Sequence, residues 1–214
     1  MGVKMKYDFK DYEVNVIIIN KNNKNIYFRI DNDLNLVVTP PKYMKEIDIK
    51  NLIKKNEESL NKMYKRALSH RKNSDKFAYL GKYYNIVFVS DIPKVGFKDD
   101  VVYTKDLKML DSFCSRECLK VFTGEINICR NCFNNLPNFS LKVRKMKTRW
   151  GVCNTRKKQI TLNSELLKKE LWLIDYVIIH EMCHFYEPNH GKNFWALVEQ
   201  ACPKYKEAKK ALKE

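Results

Sequence analysis

The stretch Ile178–Trp195, IIHEMCHFYEPNHGKNFW, holds three of the four histidines of the 214-residue chain. His180, Glu181 and His184 form H-E-x-x-H within it. On a helix, residues four apart lie on one face, one turn apart. Two imidazoles so placed reach a single ion at about 2.0–2.1 Å each. Glu181 points to the side of that face, where it meets a water held by the ion rather than the ion itself. The motif needs a well-formed buried helix, and WLIDYVII (172–179) supplies one, with Leu173, Ile174, Val177 and Ile178 apolar enough to bury it on most sides. Polar residues in so apolar a helix need a reason.

A third ligand has three candidates. Glu187 shares the helical face, but at about 1.5 Å rise per residue it lies roughly 10 Å along the axis from His180. Three ligands in a line cannot form the tripod of a tetrahedral ion. His190 follows Pro188 and Asn189 and precedes Gly191, where the chain can turn back and bring an imidazole in from a new direction. Glu199 lies on the next helical segment and, short of ligating, could orient a ligating histidine. His190 ranks first, Glu199 second and Glu187 last.

Working outward, helical spacing covers about 171–186, and Pro203 splits two closing helices over 192–202 and 204–213. Upstream, LKVRKM (141–146) and QITLN (159–163) read as strands flanking KTRWGVCN, and a helix starts near Ser164, a residue able to cap it. Residues 107–136 are helical by period. Before them, YEVNVIII (12–19), IYFRI (26–30) and LVVTP (36–40) read as strands and 45–69 as one helix. AYLGKYYNIVFVS (78–90) reads as a hairpin turning at Gly81-Lys82, and 91–100 as a loop. The fold class expected is α+β, with an N-terminal β-meander and helix over 1–100 and a catalytic domain over 101–214.

Seven cysteines, an odd number, argue for reduced thiols rather than a disulfide framework. Cys114, Cys118, Cys129 and Cys132 form C-x3-C and C-x2-C, a pattern that could bind a second metal. Three of them, however, fall on the apolar face of the 107–136 pattern. Cys114 and Cys129 would stand about 22 Å apart in one unbroken helix, so a shared metal needs a break at Gly124. A core role is the simpler reading.

No apolar run approaches a bilayer span and the N-terminus lacks an apolar leader, so a cytoplasmic protein with no membrane partner is expected. Lys6 stands where a myristoylation signal wants Ser or Thr. The net charge is +16, which makes a nucleic-acid partner conceivable. The excess is mostly scattered lysine, though, and no finger, arm or aromatic-basic platform reads as a nucleic-acid site.

TRWGVC (148–153), ITLNSELL (160–167), DYVIIHEMCH (175–184) and NHGKNFW (189–195), in this order, resemble the YgjP-like metallopeptidase family. VVTPP (37–41) and YLGKYYNIVF (79–88) extend the resemblance over nearly the whole chain. That family is similar in turn to the WLM and SprT-like groups. The resemblance implies a zincin-like metalloprotease fold, its active-site helix packed on a small sheet. It also implies one zinc ion held by His180, His184 and His190, with Glu181 as general base. Where the family has Ser after Gly in RWGSC, this chain has Val152, a departure bearing on substrate preference alone.

The activity expected is zinc-dependent hydrolysis of peptide bonds in a protein or peptide substrate. Three protein ligands leave a position for water, whose pKa zinc lowers to about 7. Glu181 takes the proton and passes it to the leaving amine. Tyr176, Tyr186 and Arg149 are candidates to stabilise the oxyanion, and QITLN is a candidate edge for an extended peptide. Trp150, Phe194 and Trp195 read as packing anchors. The competing class is a protein- or nucleic-acid-binding module that uses zinc structurally; such a site has no use for Glu181.

Overall fold

The computed structural model describes residues 3–9 and 12–213, of Val3, Lys4 and His70 the backbone alone. The chain divides into two compact units between Asp75 and Lys76, earlier than the boundary expected near residue 100. The reason is that 76–104 pack with the helix C-terminal to them. Phe77, Tyr79 and Phe97 form one aromatic cluster with Phe113 of that helix.

In the first unit, β1 (Val3–Phe9), β2 (Tyr12–Ile18), β3 (Tyr27–Ile30) and β4 (Leu36–Thr39) form a sheet ordered β1-β2-β4-β3. Alternation in β2 buries Val14, Val16 and Ile18 and exposes Glu13 and Asn15. This is not a simple meander, because β2 pairs in parallel with β4 and β3 takes the edge. The single helix expected over 45–69 is two, α1 (Glu46–Lys55) and α2 (Glu57–Lys72). Asn56 breaks it by donating its side-chain amide back to Leu52 O at 2.8 Å. Ile49, Ile53 and Leu60 pack with Val14, Val16, Leu36 and Val38 in this unit's core.

The second unit opens with β5 (Phe77–Tyr79), β6 (Lys82–Phe88), β7 (Gly96–Lys98) and β8 (Val101–Thr104), ordered β5-β6-β8-β7. The hairpin turns at Leu80-Gly81 rather than Gly81-Lys82. Both turn residues have positive φ, 47° and 80°, the geometry that matches strand twist in a two-residue loop. β7 lies inside the stretch expected to be loop. Helix α3 (Leu107–Arg130) starts at Asp106, whose side chain accepts from Met109 N at 2.7 Å. It ends six residues before 136 and passes Gly124 without a break.

A second sheet comes next: β9 (Ser140–Arg144), β10 (Gly151–Asn154) and β11 (Gln159–Asn163), ordered β10-β11-β9. QITLN is therefore the central strand, antiparallel to β10 and parallel to β9. It offers no edge to a peptide; β10 does. A 3-10 turn over Ser164–Lys168 is capped by Asn163, not Ser164. Then come α4 (Leu171–Cys183), α5 (Lys192–Ala201) and α6 (Tyr205–Ala211).

Helix α4 is the axis of this unit. Nine of its 13 residues are buried, and it packs on α3, α5, α6, β10 and β11. Ile174, Ile178 and Met182 are fully covered, each stabilising by about 1.5–3 kcal/mol relative to exposure. Among the described residues, no helix is long and apolar enough to cross a membrane.

Candidate metal centre

The last turn of α4 carries His180 and Glu181, and His184 caps its end. Hydrogen bonds from Phe185, Tyr186 and Glu187 N–H to Met182 and Cys183 carbonyls continue the turn. Past Pro188 the chain doubles back, with Gly191 N–H bonded to Asn189 O at 2.7 Å. That reversal lays His190 over the helix. Its Nε2 stands 3.1 Å from His180 Nε2.

The three imidazoles form a closed triangle, with ring centroids 5.2, 5.0 and 4.8 Å apart. One ring nitrogen from each lies within 4.8 Å of the other two, and among the described residues no other trio of potential ligands is so grouped. A tetrahedral zinc site needs nitrogens about 3.3 Å apart; the His180–His190 pair already stands at 3.1 Å, and the remaining pairs lie within 4.8 Å. Phe194, the buried aromatic of α5, packs against all three rings at 4.6–4.9 Å.

The donor chemistry suits a borderline divalent cation. Burial, then His184, His190 and Lys209, push the His180 imidazole down to about 3, so it is neutral. Burial also lowers His184. His184 Nδ1 lies 3.3 Å from Glu187 O; a carbonyl only accepts, so Nδ1 carries the proton and Nε2 keeps its lone pair. His180 Nδ1 is buried with no partner, and the facing His180 and His190 Nε2 atoms need a proton or a cation between them.

Glu181 is 5% exposed. Burial pushes its carboxyl up to about 7, against the opposing pull of the Cys153 backbone N–H, which donates to it, and of the Arg149 guanidinium. The carboxyl therefore stands beside the imidazoles, held by the edge strand β10. A cleft of about 820 Å³ opens over it, walled by 148–153, Tyr176, Lys209 and Leu212. Asn163 braces that wall: its amide donates to Met146 O and Arg149 O, and its carbonyl accepts from Met146 N–H. Trp150 Nε1 donates to Leu212 O at 3.2 Å, tying the wall to the end of α6.

Other sequence candidates fall elsewhere. Glu199 pairs with Lys206 at 3.3 Å and does not line the cleft. Glu187 meets His184 through its backbone carbonyl. Tyr186 donates its hydroxyl to Asn134 O at 2.6 Å and stacks on Phe133, outside the cleft. Tyr176 and Arg149 do line it. The Cys153 N–H, Asn163 and Lys209 were not among the sequence candidates. No one-dimensional signal marks them, because each reaches the site through strand pairing or helix docking.

A family model for the YgjP-like metallopeptidase domain matches residues 24–214. No curated protein matches the chain. Among solved structures it is similar to the metallopeptidase zymogen abylysin of Pyrococcus abyssi, at 21% identity and a TM-score of 0.40 over 42% of this chain and 90% of that one. It is similar likewise to the metallopeptidase zymogen jannalysin of Methanocaldococcus jannaschii, at 20% identity and a TM-score of 0.39 over 42% of this chain and 86% of that one.

Proposed function

The chain belongs to the YgjP-like metallopeptidase family, and from that premise we propose a zinc-dependent peptidase on a zincin-like scaffold, with His180, His184 and His190 as ligands and Glu181 as general base. The observation that carries this reading is the convergence of three imidazoles on one point with a buried carboxyl beside them. Neutral imidazoles favour zinc over calcium or magnesium, which take oxygen ligands. When bound, zinc supplies Lewis acidity to a substrate carbonyl and lowers the pKa of water to about 7.

The chain's own groups do the rest. Glu181 receives the proton of the attacking water on its carboxylate and returns it to the leaving amine. The Cys153 N–H holds the carboxylate in place through that exchange. Arg149 and Tyr176 are the lining groups with charge or a hydroxyl for the developing oxyanion. β10 is the sheet edge beside the cleft, so an extended substrate adding to the sheet lies along it. All seven cysteines are free, which fits the reducing cytoplasm.

The test begins with zinc content by elemental mass spectrometry on protein prepared without chelator. We expect one zinc per chain. Glu181→Gln keeps the zinc and loses peptide hydrolysis by orders of magnitude. Unchanged hydrolysis in that variant removes Glu181 from the chemistry. Failure to take up offered zinc leaves a binding protein on the same scaffold.

A further inference from the structure

The cleft over Glu181 carries three basic side chains against one carboxylate among its described lining residues. Arg149, Lys209 and Lys213 line it, and Glu181 is the sole carboxylate among the described lining residues. None of the three cations makes an ion pair among the described residues, whereas Lys206, one turn from Lys209, pairs with Glu199 and Lys168 with Glu165.

Lys209 also has an aromatic contact that orients it. Its Nζ stands 4.2 Å over the Trp195 ring. That ring stacks on Tyr205 at 5.4 Å and lies 5.9 and 5.8 Å from the His180 and His190 rings. A cation–π contact thus biases this exposed ammonium toward the imidazole side of the cleft. Lys213 follows Leu212, whose carbonyl is tied to Trp150. Cations on concave walls focus a positive potential into the space where substrate must lie, and a divalent ion would add to it.

Resting on the peptidase reading above, we infer that the site selects acidic peptides: a Glu or Asp side chain beside the scissile bond sits on the Lys209–Lys213 side of the cleft. Basic residues at that position are repelled, so the preference is a difference between partners. Nucleic acid carries the same charge but fits less well. Strand binders stack bases on open aromatic faces. Here Trp195 lies beneath Lys209, Trp150 beneath Lys169 at 5.4 Å, and Tyr176 is buried.

The test uses fluorogenic peptide pairs identical except for Glu or Gln, scanned across positions flanking the scissile bond, with the zinc-loaded protein. At one position the Glu peptide should show a kcat/KM about tenfold higher, shrinking as salt is added. In the Lys209→Glu, Lys213→Glu double variant the Glu-to-Gln ratio should fall below one. Calorimetry of the same pair on zinc-loaded Glu181→Gln should give the same ranking in affinity. Equal kcat/KM at every position, or a ratio that survives the charge reversal, overturns the preference and leaves the peptidase standing. Tighter calorimetric binding of a mixed-sequence single-stranded oligonucleotide than of the Glu peptide overturns it in favour of nucleic acid. Cleavage of neither peptide removes the peptidase reading, and the preference with it.

Discussion

Gly151 and Glu181 approach so closely that any side chain at position 151 must displace the Glu181 carboxyl. A Cβ there would stand 2.7 Å from both Cγ and Oε1 of Glu181, and 2.9 Å from Cδ. The backbone of both is fixed, so the carboxyl end of Glu181 is what gives. Gly151 is paired with Leu162 in the sheet, and Glu181 sits in the buried last turn of α4. The requirement is for space, not for an unusual backbone conformation. It is how an edge strand comes near enough for the Cys153 N–H to hold the carboxyl.

Gly151→Ala should therefore displace the Glu181 carboxyl and leave the three imidazoles where they are. A shift of about 1 Å in a reacting group lowers turnover by roughly 10²-fold. We expect that loss in kcat/KM, with zinc content equal to wild type. Full activity in the alanine variant would show that the carboxyl's position is not critical.

Zinc should stabilise the second unit by mass action, since it binds the folded triangle and not the unfolded chain. At a free concentration 100 times the Kd this is about 2.7 kcal/mol. For a unit of this size it corresponds to roughly 5–10 °C in the thermal midpoint. Calorimetry with and without chelator reads it. His184→Ala should lose most of the chelator-sensitive shift, and a shift of the same size in that variant would mean that the ion binds elsewhere.

The helix that carries the site was legible because α4 is apolar on most sides, and H-E-x-x-H at the end of such a run asks for a chemical reason. The return of His190 was legible from Pro188 and Gly191, which flank it in the segment between α4 and α5 where the chain reverses. What could not be read was non-local. The hydrophobic alternation of β2 and β4 marks both as strands, yet nothing in either says that they pair in parallel with β3 outside. QITLN looks like any strand of its composition, and only the pairing of β9 and β10 on its two sides makes it central. Asn56 ends α1 through one side-chain bond inside a pattern that otherwise runs on. Asn163 looked like the end of a strand, though its side chain holds the cleft wall.

Asn163 is 4% exposed and joins Met146, Arg149 and Glu165 through its amide at 2.8–3.2 Å. Asn163→Ala leaves two carbonyls and two N–H groups without that partner. We expect a loss of about 2–4 kcal/mol, read as a lower urea midpoint for the second unit. Activity should fall further than the folded fraction alone explains, because the loop bearing Arg149 and Trp150 loses its brace. A midpoint within error of wild type would show that water replaces the network without cost.

Asp175 makes the unit's stability depend on pH in an unusual direction. Burial, and then the hydrogen bond and charge of Glu125, push its carboxyl from 3.8 up to about 7. In the unfolded chain it returns to its ordinary value, so between roughly pH 4 and 7 the folded state holds a proton that the unfolded state has released. Stability then falls as pH rises through that window and levels off above it. Asp175 is half-buried and partly screened by water, so the slope lies well below the limit of about 1.4 kcal/mol per pH unit. Asp175→Asn keeps a donor toward Glu125 without a charge to titrate. Its thermal midpoint should exceed wild type at pH 8, and the gap should close as pH falls to about 4. A gap that stays constant over that range would mean the two carboxyls do not share a proton, and one that widens toward acid would reverse the sign and place the charged form of Asp175 among the stabilising groups.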